Sequence, residues 1–215
     1  MTIAHHPSDF RLLDYAAGRL DEGQRLLVAT HLAICSTCDR EVAMLERVGG
    51  ALLAAIPPTP LEPDARDRIL ARLDVLTRDE AIASRDQRPP DMPELPEALR
   101  PYPLGPWNWA GPGVHWRALR LNGESASRVF LLRAAPGKHL PQHTHSGTEL
   151  TLVLRGAFSH EGGRFAAGDF EDADDSIEHR PIVDSDEECL CLVAMDGKLL
   201  ISGLMGKVMQ PFVRF

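Results

Sequence analysis

The 215-residue chain lacks a long apolar segment, an excess of basic residues and more than a few cysteines. No stretch approaches the roughly 18 consecutive apolar residues that a membrane-spanning helix needs. The N-terminus has neither the basic start nor the apolar run of a signal peptide. We therefore expect a cytoplasmic protein that does not contact a membrane. In a reducing compartment, cysteines in close pairs are more typical of metal or redox chemistry than of disulfides.

Acidic residues outnumber basic ones, at 31 Asp and Glu against 23 Lys and Arg, and the formal net charge is -8. A nucleic-acid-binding surface requires clustered Lys and Arg. The charge balance therefore argues against direct contact with nucleic acid, and against a zinc-containing DNA-binding regulator. The hydrophobic content of 44% is ordinary for a globular protein, and the chain is long enough for two small domains.

Residues 1–80 have the pattern of a helical domain with about four helices. Ser8 or Asp9 can cap a first helix, which Gly18 ends. Asp21 and Gln24 have the spacing of a capping box for the second helix. The third is expected from near Cys38 to the proline pair at 57–58. The fourth starts near the proline at 63 and carries an apolar stripe of Ile69, Leu70, Leu73 and Leu76. This stripe either joins the core or faces a partner.

A proline-rich segment at 81–106 separates this domain from residues 107–215. Because proline removes backbone donors and favours extended chain, we expect a semi-rigid linker. After it, short β-rich runs alternate with Gly, Pro and Asp clusters, which indicates an antiparallel barrel or jelly roll. The predicted fold class is therefore α+β with two domains.

The first motif with metal-ligand spacing is His31-x3-Cys35-x2-Cys38. If His31 and Cys35 lie on one helix, they share a face, and Cys38 follows one turn later. Structural Zn²⁺ takes four nitrogen or sulfur ligands. We expect His6 to supply the fourth, because the first helix can fold back and bring it to the cluster. The alternatives are a surface histidine with two buried cysteines, or a thiol switch.

An N-terminal histidine followed by His31, Cys35 and Cys38 and further helices resembles the zinc-binding anti-sigma domain of anti-sigma factors that act on ECF sigma factors. The resemblance implies that the domain binds a cognate sigma factor and blocks its access to RNA polymerase. It also implies that the fourth helix, with its stripe of Ile69, Leu70, Leu73 and Leu76, contacts this partner.

The second motif, G-x5-H-x-H-x3-E-x6-G over residues 137–156, resembles cupin motif 1 at every defined position. His143 and His145 alternate along a strand and so project to one side, and Glu149 joins them from the next strand. Such a ligand set suits Zn²⁺ or another divalent transition metal, and the residue types do not choose among these.

Cupin motif 2 is present only in part. Gly168-Asp169 has its turn, and we expect His179 to be the fourth ligand of the second metal. The Pro-x-Gly before this histidine is missing, and Val183 stands where the motif has asparagine. The barrel prediction survives this loss, whereas the prediction of a particular catalytic activity is weakened.

The remaining chemistry-bearing residues are assigned to surface or core. We expect His115, His139 and His160 in turns or at the surface, with His139 closest to the site, and the acidic run at 171–178 in a solvated loop. Cys189 and Cys191 face the same side of a strand. They are either inward-facing core residues or a redox pair.

A zinc helical domain, a proline-rich linker and a cupin, in this order, resemble the ChrR type of anti-sigma factor over almost the whole chain. The resemblance implies that the helices restrain an ECF sigma factor and that the metal-binding cupin senses singlet oxygen or related oxidative stress. We expect the signal to reach the helices through the linker. The competing interpretation is an enzyme, a metal-dependent cupin dioxygenase or oxidase with a helical accessory domain.

Overall fold

A computed structural model describes residues 2–75, 92, 95–123 and 125–202. Four helices come first: α1 (Asp9–Ala16), α2 (Glu22–Leu32), α3 (Ser36–Ala55) and α4 (Ala65–Val75). A short 3₁₀ helix (Glu97–Leu99) precedes a domain of antiparallel strands. The predicted α+β class, with helices followed by a β domain, is confirmed. In the described part of the chain, no helix has the length and apolar character needed to cross a membrane.

Side-chain caps explain where the first two helices begin. The Ser8 hydroxyl accepts a hydrogen bond from the Arg11 amide at 3.3 Å, and the Asp21 carboxylate accepts one from the Gln24 amide at 2.9 Å. Gly18 has φ 68, a left-handed conformation that suits glycine after a helix end. Of the two candidates for the first cap, the structure uses Ser8, and the predicted Asp21 cap is confirmed.

His31 and Cys35 do not share a helix, so the helical-face arrangement considered from the spacing does not apply. Helix α2 ends at Leu32, and Cys35 is the extended N-cap of α3 with φ -110 and ψ 95. The amides of Ile34 and Cys35 both donate to the His31 carbonyl, at 3.0 and 2.9 Å. This tight turn, rather than one helical face, carries Cys35 and Cys38 back towards His31.

Helix α4 exposes the described part of its apolar stripe. Ile69 and Leu70 are 58% and 46% exposed. The side chain of Leu73 and the whole of Leu76 lie outside the described residues. The two described members of the stripe thus remain out of the core.

The β domain contains eleven described strands: β1 (Asn108–Gly111), β2 (Val114–Leu119), β3 (Arg128–Ala134), β4 (His143–His145), β5 (Glu149–Arg155), β6 (Ala157–His160), β7 (Gly163–Ala166), β8 (Phe170–Ala173), β9 (Ile182–Val183), β10 (Cys189–Met195) and β11 (Leu199–Ile201). Six form an antiparallel sheet in the order β1-β2-β3-β10-β5-β8. The others form sheets β7-β6-β9 and β11-β4. The non-sequential order, with β10 between β3 and β5, is that of the expected barrel or jelly roll.

The six-stranded sheet is apolar on both faces. Every residue of β10 is buried. Cys191 and Val193 belong to the core inside the barrel, whereas Leu190 and Leu192 belong to a second core that includes Leu27 of α2. Because side chains alternate along a strand, one continuous apolar run serves both cores. The helical domain is thereby packed directly on the outer face of this sheet.

The described end of the predicted linker belongs to this second core. Leu95 and Leu99 are 4% and 0% exposed and pack in the core shared by the helices and the sheet. Burying these leucines stabilises the segment against the sheet. This end of the predicted semi-rigid linker therefore packs on the sheet, whereas most of residues 81–94 lie outside the described part of the chain.

Asp21 adds a polar contact between the domains. Its carboxylate accepts hydrogen bonds from the Ser125 hydroxyl at 3.0 Å and from the Ser127 hydroxyl at 2.7 Å, in addition to capping α2. Burial raises the pKa of Asp21, but its hydrogen bonds to Gln24, Ser127 and Ser125 outweigh burial and hold the pKa below its ordinary value. The ionised carboxylate thus fixes the start of α2 against the β domain.

We expect Leu27→Ala to lower the free energy of unfolding by about 2–5 kcal/mol, because it leaves a cavity where α2 meets the sheet. Urea denaturation of the metal-supplemented protein, followed by circular dichroism, measures this change. Leu53→Ala is the matched control, since Leu53 is 70% exposed, and we expect a change of less than about 0.5 kcal/mol. Equal effects of the two substitutions would contradict the shared core.

Candidate metal centres

The first group of metal-ligating side chains, which we call the N-terminal cluster, consists of His6, His31, Cys35 and Cys38. Their ligand atoms all lie within 4.8 Å of one another. His6 Nδ1 is 3.4 Å from Cys35 Sγ and 3.3 Å from Cys38 Sγ. Tetrahedral zinc, with bonds of about 2.0–2.3 Å, requires ligand atoms about 3.5 Å apart. The two cysteines and two histidines fit such an ion.

His31 is oriented by a contact with the β domain. Its Nδ1 lies 3.1 Å from the Gly168 carbonyl oxygen, and a hydrogen bond there requires Nδ1 to carry the proton. The other ring nitrogen, Nε2, is buried and has no hydrogen-bond partner among the described residues. Burial lowers the pKa of His31 to about 4. The ring is therefore neutral and directs a lone pair at the cluster, as a metal ligand does.

Burial shifts the pKa of Cys38 in the opposite direction from that of His31. Burial, together with the neighbouring Cys35, raises the pKa of Cys38 to about 12. Without a cation the thiol keeps its proton, because a lone buried thiolate is poorly solvated. A bound metal ion would supply the positive charge that stabilises the thiolate form.

His6 reaches the cluster on an extended segment that the β domain holds. The amides of Ala4 and His5 donate to Asp169 Oδ1 at 2.6 and 3.0 Å, and the Phe170 amide donates to the His5 carbonyl at 3.0 Å. This differs from the expectation that the first helix folds back to bring His6. The β domain itself positions the fourth side chain of the N-terminal cluster.

The second group, which we call the barrel cluster, consists of His143, His145, Glu149 and His179. All four side chains are buried, and their ligand atoms lie within 4.8 Å of one another. His143 and His145 come from β4, Glu149 begins β5, and His179 pairs with His143 through backbone hydrogen bonds of 3.0 Å in both directions. The structure thus brings together the four residues predicted from the two cupin motifs.

The ring nitrogens of the barrel cluster converge on one point. His143 Nε2 and His179 Nε2 are 3.0 Å apart, and His143 Nδ1 lies 2.8 Å from the Pro141 carbonyl. His145 Nε2 is 3.0 Å from Glu149 Oε2, yet it makes no aligned hydrogen bond with any described residue. The ligands of a single metal ion have this arrangement, because their ligand atoms lie close together without being aligned for hydrogen bonds to one another. Three imidazoles and a carboxylate fit a divalent transition metal.

Two further residues extend the barrel cluster, and sequence reasoning missed both. Glu171 was predicted in a solvated loop and His160 at the surface, but Glu171 is 7% exposed and the His160 side chain 5%. Glu171 Oε1 lies 3.2 Å from His179 Nδ1 and 2.7 Å from His160 Nε2. A carboxylate on Nδ1 fixes the tautomer that turns Nε2 towards a metal. Strand alternation is the signal that would have found Glu171, since its neighbour Phe170 packs on the opposite face.

The charge of Glu171 is maintained by its histidine partners. Burial raises the pKa of this carboxyl, but the hydrogen bonds to His160 and His179 outweigh burial and bring the pKa down to about 2. Glu171 is therefore ionised at neutral pH. It accepts a hydrogen bond from His179 Nδ1 and lies 2.7 Å from His160 Nε2, an ion-pair distance.

Cys189 and Cys191 both line the inside of the barrel, with their sulfur atoms 3.6 Å apart. The hydrogen bond to Cys189 and burial both raise the pKa of the Cys191 thiol well above its ordinary value. Because the thiolate is the reactive form, this environment favours the core interpretation over the redox pair. His139 lines the same cavity, and His115 is half-buried on β2.

Comparison with known proteins gives concordant results. Residues 104–197 match a sequence family described as the ChrR Cupin-like domain. The chain is 40% identical over 220 residues to the anti-sigma-E factor ChrR of Cereibacter sphaeroides, and the alignment covers 100% of both proteins. It is also similar to a chain in the crystal structure of Rhodobacter sphaeroides SigE in complex with the anti-sigma ChrR, with a TM-score of 0.73 and 37% identity over 91% of this chain and 100% of that one.

We expect Glu171→Gln to weaken metal binding by the barrel cluster about 10- to 100-fold, because the neutral amide holds the His179 tautomer less strongly. Competition with a chromophoric chelator measures the affinity. The matched control is Glu161→Gln, an exposed position on the neighbouring turn, which should leave the affinity unchanged. An unaltered affinity in folded Glu171→Gln protein would show that this carboxylate does not orient the ligand.

Proposed function

Because the chain belongs to the ChrR family of anti-sigma factors, we propose that it sequesters a cognate ECF-type sigma factor and releases it under oxidative stress of the singlet-oxygen type. The related ChrR was crystallised in complex with SigE, which supports a sigma factor as the partner. Membership of a family of transcription regulators favours this role over the cupin dioxygenase. We propose a cytoplasmic location, where such a partner acts.

The observation that carries the proposal is the exposed apolar surface of the helices. Met44, Val48 and Leu52 recur at intervals of four along α3 and are 54%, 54% and 66% exposed. Phe10 of α1 is 81% exposed. A surface this apolar is typical of a protein-binding site. We name this set the apolar helical face: Phe10 and Leu13 of α1, and Met44, Val48, Leu52 and Ile56 at and after α3.

The apolar helical face enlarges the partner surface proposed from the sequence. Only Ile69 and Leu70 on α4, with Leu73 and Leu76, were predicted to contact the sigma factor. No partner contact was predicted for the apolar residues of α1 and α3. They remain exposed because α2 turns its own apolar residues towards the β domain, where Leu26 and Leu27 are buried. The sigma factor would therefore cover helices that the cupin leaves open.

The two clusters suit different tasks. We propose Zn²⁺ in the N-terminal cluster, since four nitrogen and sulfur ligands close a tetrahedral ion and make the site structural. We propose Zn²⁺ or another divalent transition metal in the barrel cluster. His143, Glu149 and His179 line the barrel cavity, so this site is accessible to a small molecule. Sensing therefore belongs to the barrel, with Cys189 and Cys191 as an alternative redox pair.

Strand β8 offers a direct route from the barrel cluster to the helices. Glu171 faces inward and contacts His179, whereas the preceding Phe170 packs its ring against His31 at a centroid distance of 5.7 Å. Asp172, which follows, forms an ion pair of 2.9 Å with Arg11 of α1. We expected the signal to travel through the linker. The contacts of β8 support a shorter path, in which displacement of Glu171 shifts the residues that hold α1 and the N-terminal cluster.

We expect the double substitution Val48→Ala and Leu52→Ala to weaken binding of the cognate ECF sigma factor by at least about tenfold, because apolar anchors at an interface carry much of its affinity. Isothermal titration with the purified sigma factor gives the Kd. Trp109→Ala serves as the control, since Trp109 is 68% exposed on the cupin. An unchanged Kd in the folded double variant, or a matching loss in the control, would refute this binding face.

A further inference from the structure

His160, the last residue of β6, forms a third group of potential metal ligands with Glu171 and His179, which also belongs to the barrel cluster. Glu171 Oε1 lies 2.7 Å from His160 Nε2 and 3.2 Å from His179 Nδ1. One carboxylate oxygen is therefore shared between two imidazole rings. Whether His160 binds a metal or orients the carboxylate depends on which of its ring nitrogens carries the proton.

The turn after β6 sets the tautomer of His160. The Gly162 amide donates a hydrogen bond to His160 Nδ1 at 2.9 Å. A ring nitrogen that accepts a hydrogen bond carries no proton, so the hydrogen of the neutral ring lies on Nε2. The contact with Glu171 requires the same tautomer, because a lone pair on Nε2 at 2.7 Å from an ionised carboxylate oxygen would be repelled. Two separate contacts thus place an N–H group of His160 against Glu171.

This tautomer argues against His160 as a metal ligand. Binding of an ion through Nε2 needs a lone pair on that nitrogen and the proton on Nδ1, where the amide hydrogen of Gly162 already lies. The Nε2–H group is buried and is not aligned for a straight hydrogen bond with any described residue. Its contact with Glu171 is therefore a short attraction between an N–H dipole and a charged carboxylate.

Aromatic neighbours and a glycine hold the His160 ring in place. The ring lies nearly parallel to those of Phe165 and Phe158, at centroid distances of 5.1 and 5.9 Å and interplanar angles of 16° and 19°. Offset stacking of this kind is favourable, and both phenylalanines are buried. A Cβ atom at Gly162 would lie 2.7 Å from His160 Cε1. The barrel therefore sets the position of this ring independently of a metal ion.

We propose that His160 is a positioning residue of the barrel cluster. Its Nε2–H holds the Glu171 carboxylate against His179 Nδ1, and Glu171 in turn directs His179 Nε2 towards the metal ion. A carboxylate with two N–H partners is less free to rotate away from His179 than a carboxylate with one. The role of His160 rests on the proposed function only in requiring a metal ion at the barrel cluster.

The zinc affinity of His160 variants of the full chain, measured by competition with a chromophoric chelator, tests the proposal. We expect His160→Leu to weaken binding at the barrel cluster about tenfold, because Glu171 loses one N–H partner. His160→Gln should stay close to the wild-type affinity, since its amide reaches the position of Nε2–H. The amide of His160→Asn lies nearer to Nδ1, so this variant should resemble His160→Leu.

Equal affinities in the wild type and folded His160→Leu protein would overturn the proposal, and so would equal losses in the Leu, Gln and Asn variants. The matched control is His115→Leu, at a half-buried position on β2, which should leave the affinity unchanged. A loss in this control equal to that in His160→Leu would also contradict a specific role for His160.

The double variant His160→Leu with Glu171→Gln tests whether His160 acts through Glu171. Because the two substitutions break one chain of contacts, their effects on zinc affinity should not add. The double variant should bind zinc about as weakly as Glu171→Gln alone. Additive losses would overturn the proposed route from His160 to the metal ion.

The tautomer can be measured without a substitution. Long-range proton–nitrogen correlation spectra of the imidazole rings should show the His160 proton on Nε2 in both the metal-free and the zinc-loaded chain. A proton on Nδ1 would overturn the role of His160 and leave the barrel ligands unchallenged. Binding of a single zinc ion per wild-type chain would contradict the barrel metal centre itself, and with it the role of His160. Binding of three would make His160 a ligand and would also overturn the proposal.

Discussion

The contact between His31 Nδ1 and the Gly168 carbonyl, at 3.1 Å, is the interaction on which the arrangement of the two domains depends. It sets the tautomer of His31 and so turns Nε2 towards Cys35 and Cys38. Gly168 has φ 92, at a turn just before β8. The next residue, Asp169, holds the backbone that presents His6. One turn of the barrel therefore helps to position both histidines of the N-terminal cluster.

This shared turn gives the metal clusters a physical connection that a flexible linker would not supply. Phe170 and Asp172 contact the helical domain, and Glu171 between them contacts the barrel cluster. Because side chains alternate along a strand, a shift of β8 changes both sets of contacts together. In the proposed function, the N-terminal cluster is a structural joint, and the barrel cluster, which adjoins a cavity, is the place where a chemical signal would enter.

The features that the sequence predicted correctly are those that depend on interactions between residues close together in the chain. The caps at Ser8 and Asp21 and the spacing of the cupin motif each follow from hydrogen bonds or alternation within a few residues. Glu171 was missed because its partners come from β6 and from the segment after β8. Strand alternation marks its side chain as inward-facing but does not identify these partners. The spacing alone did not decide whether Cys35 shares a helix with His31, because a single turn between α2 and α3 sets its position. The exposed face of α3 was missed because burial depends on which side of α2 the barrel occupies.

Hydrogen exchange of the full chain with and without the N-terminal metal tests the central claim, that this cluster joins the helices to the barrel through β8. Cys35→Ser with Cys38→Ser removes the thiolates while leaving the β domain intact. We expect faster exchange at the amides of Ala4, His5 and Phe170, which form hydrogen bonds across this joint, and unchanged protection in β10. Full protection of those three amides in the variant would contradict it.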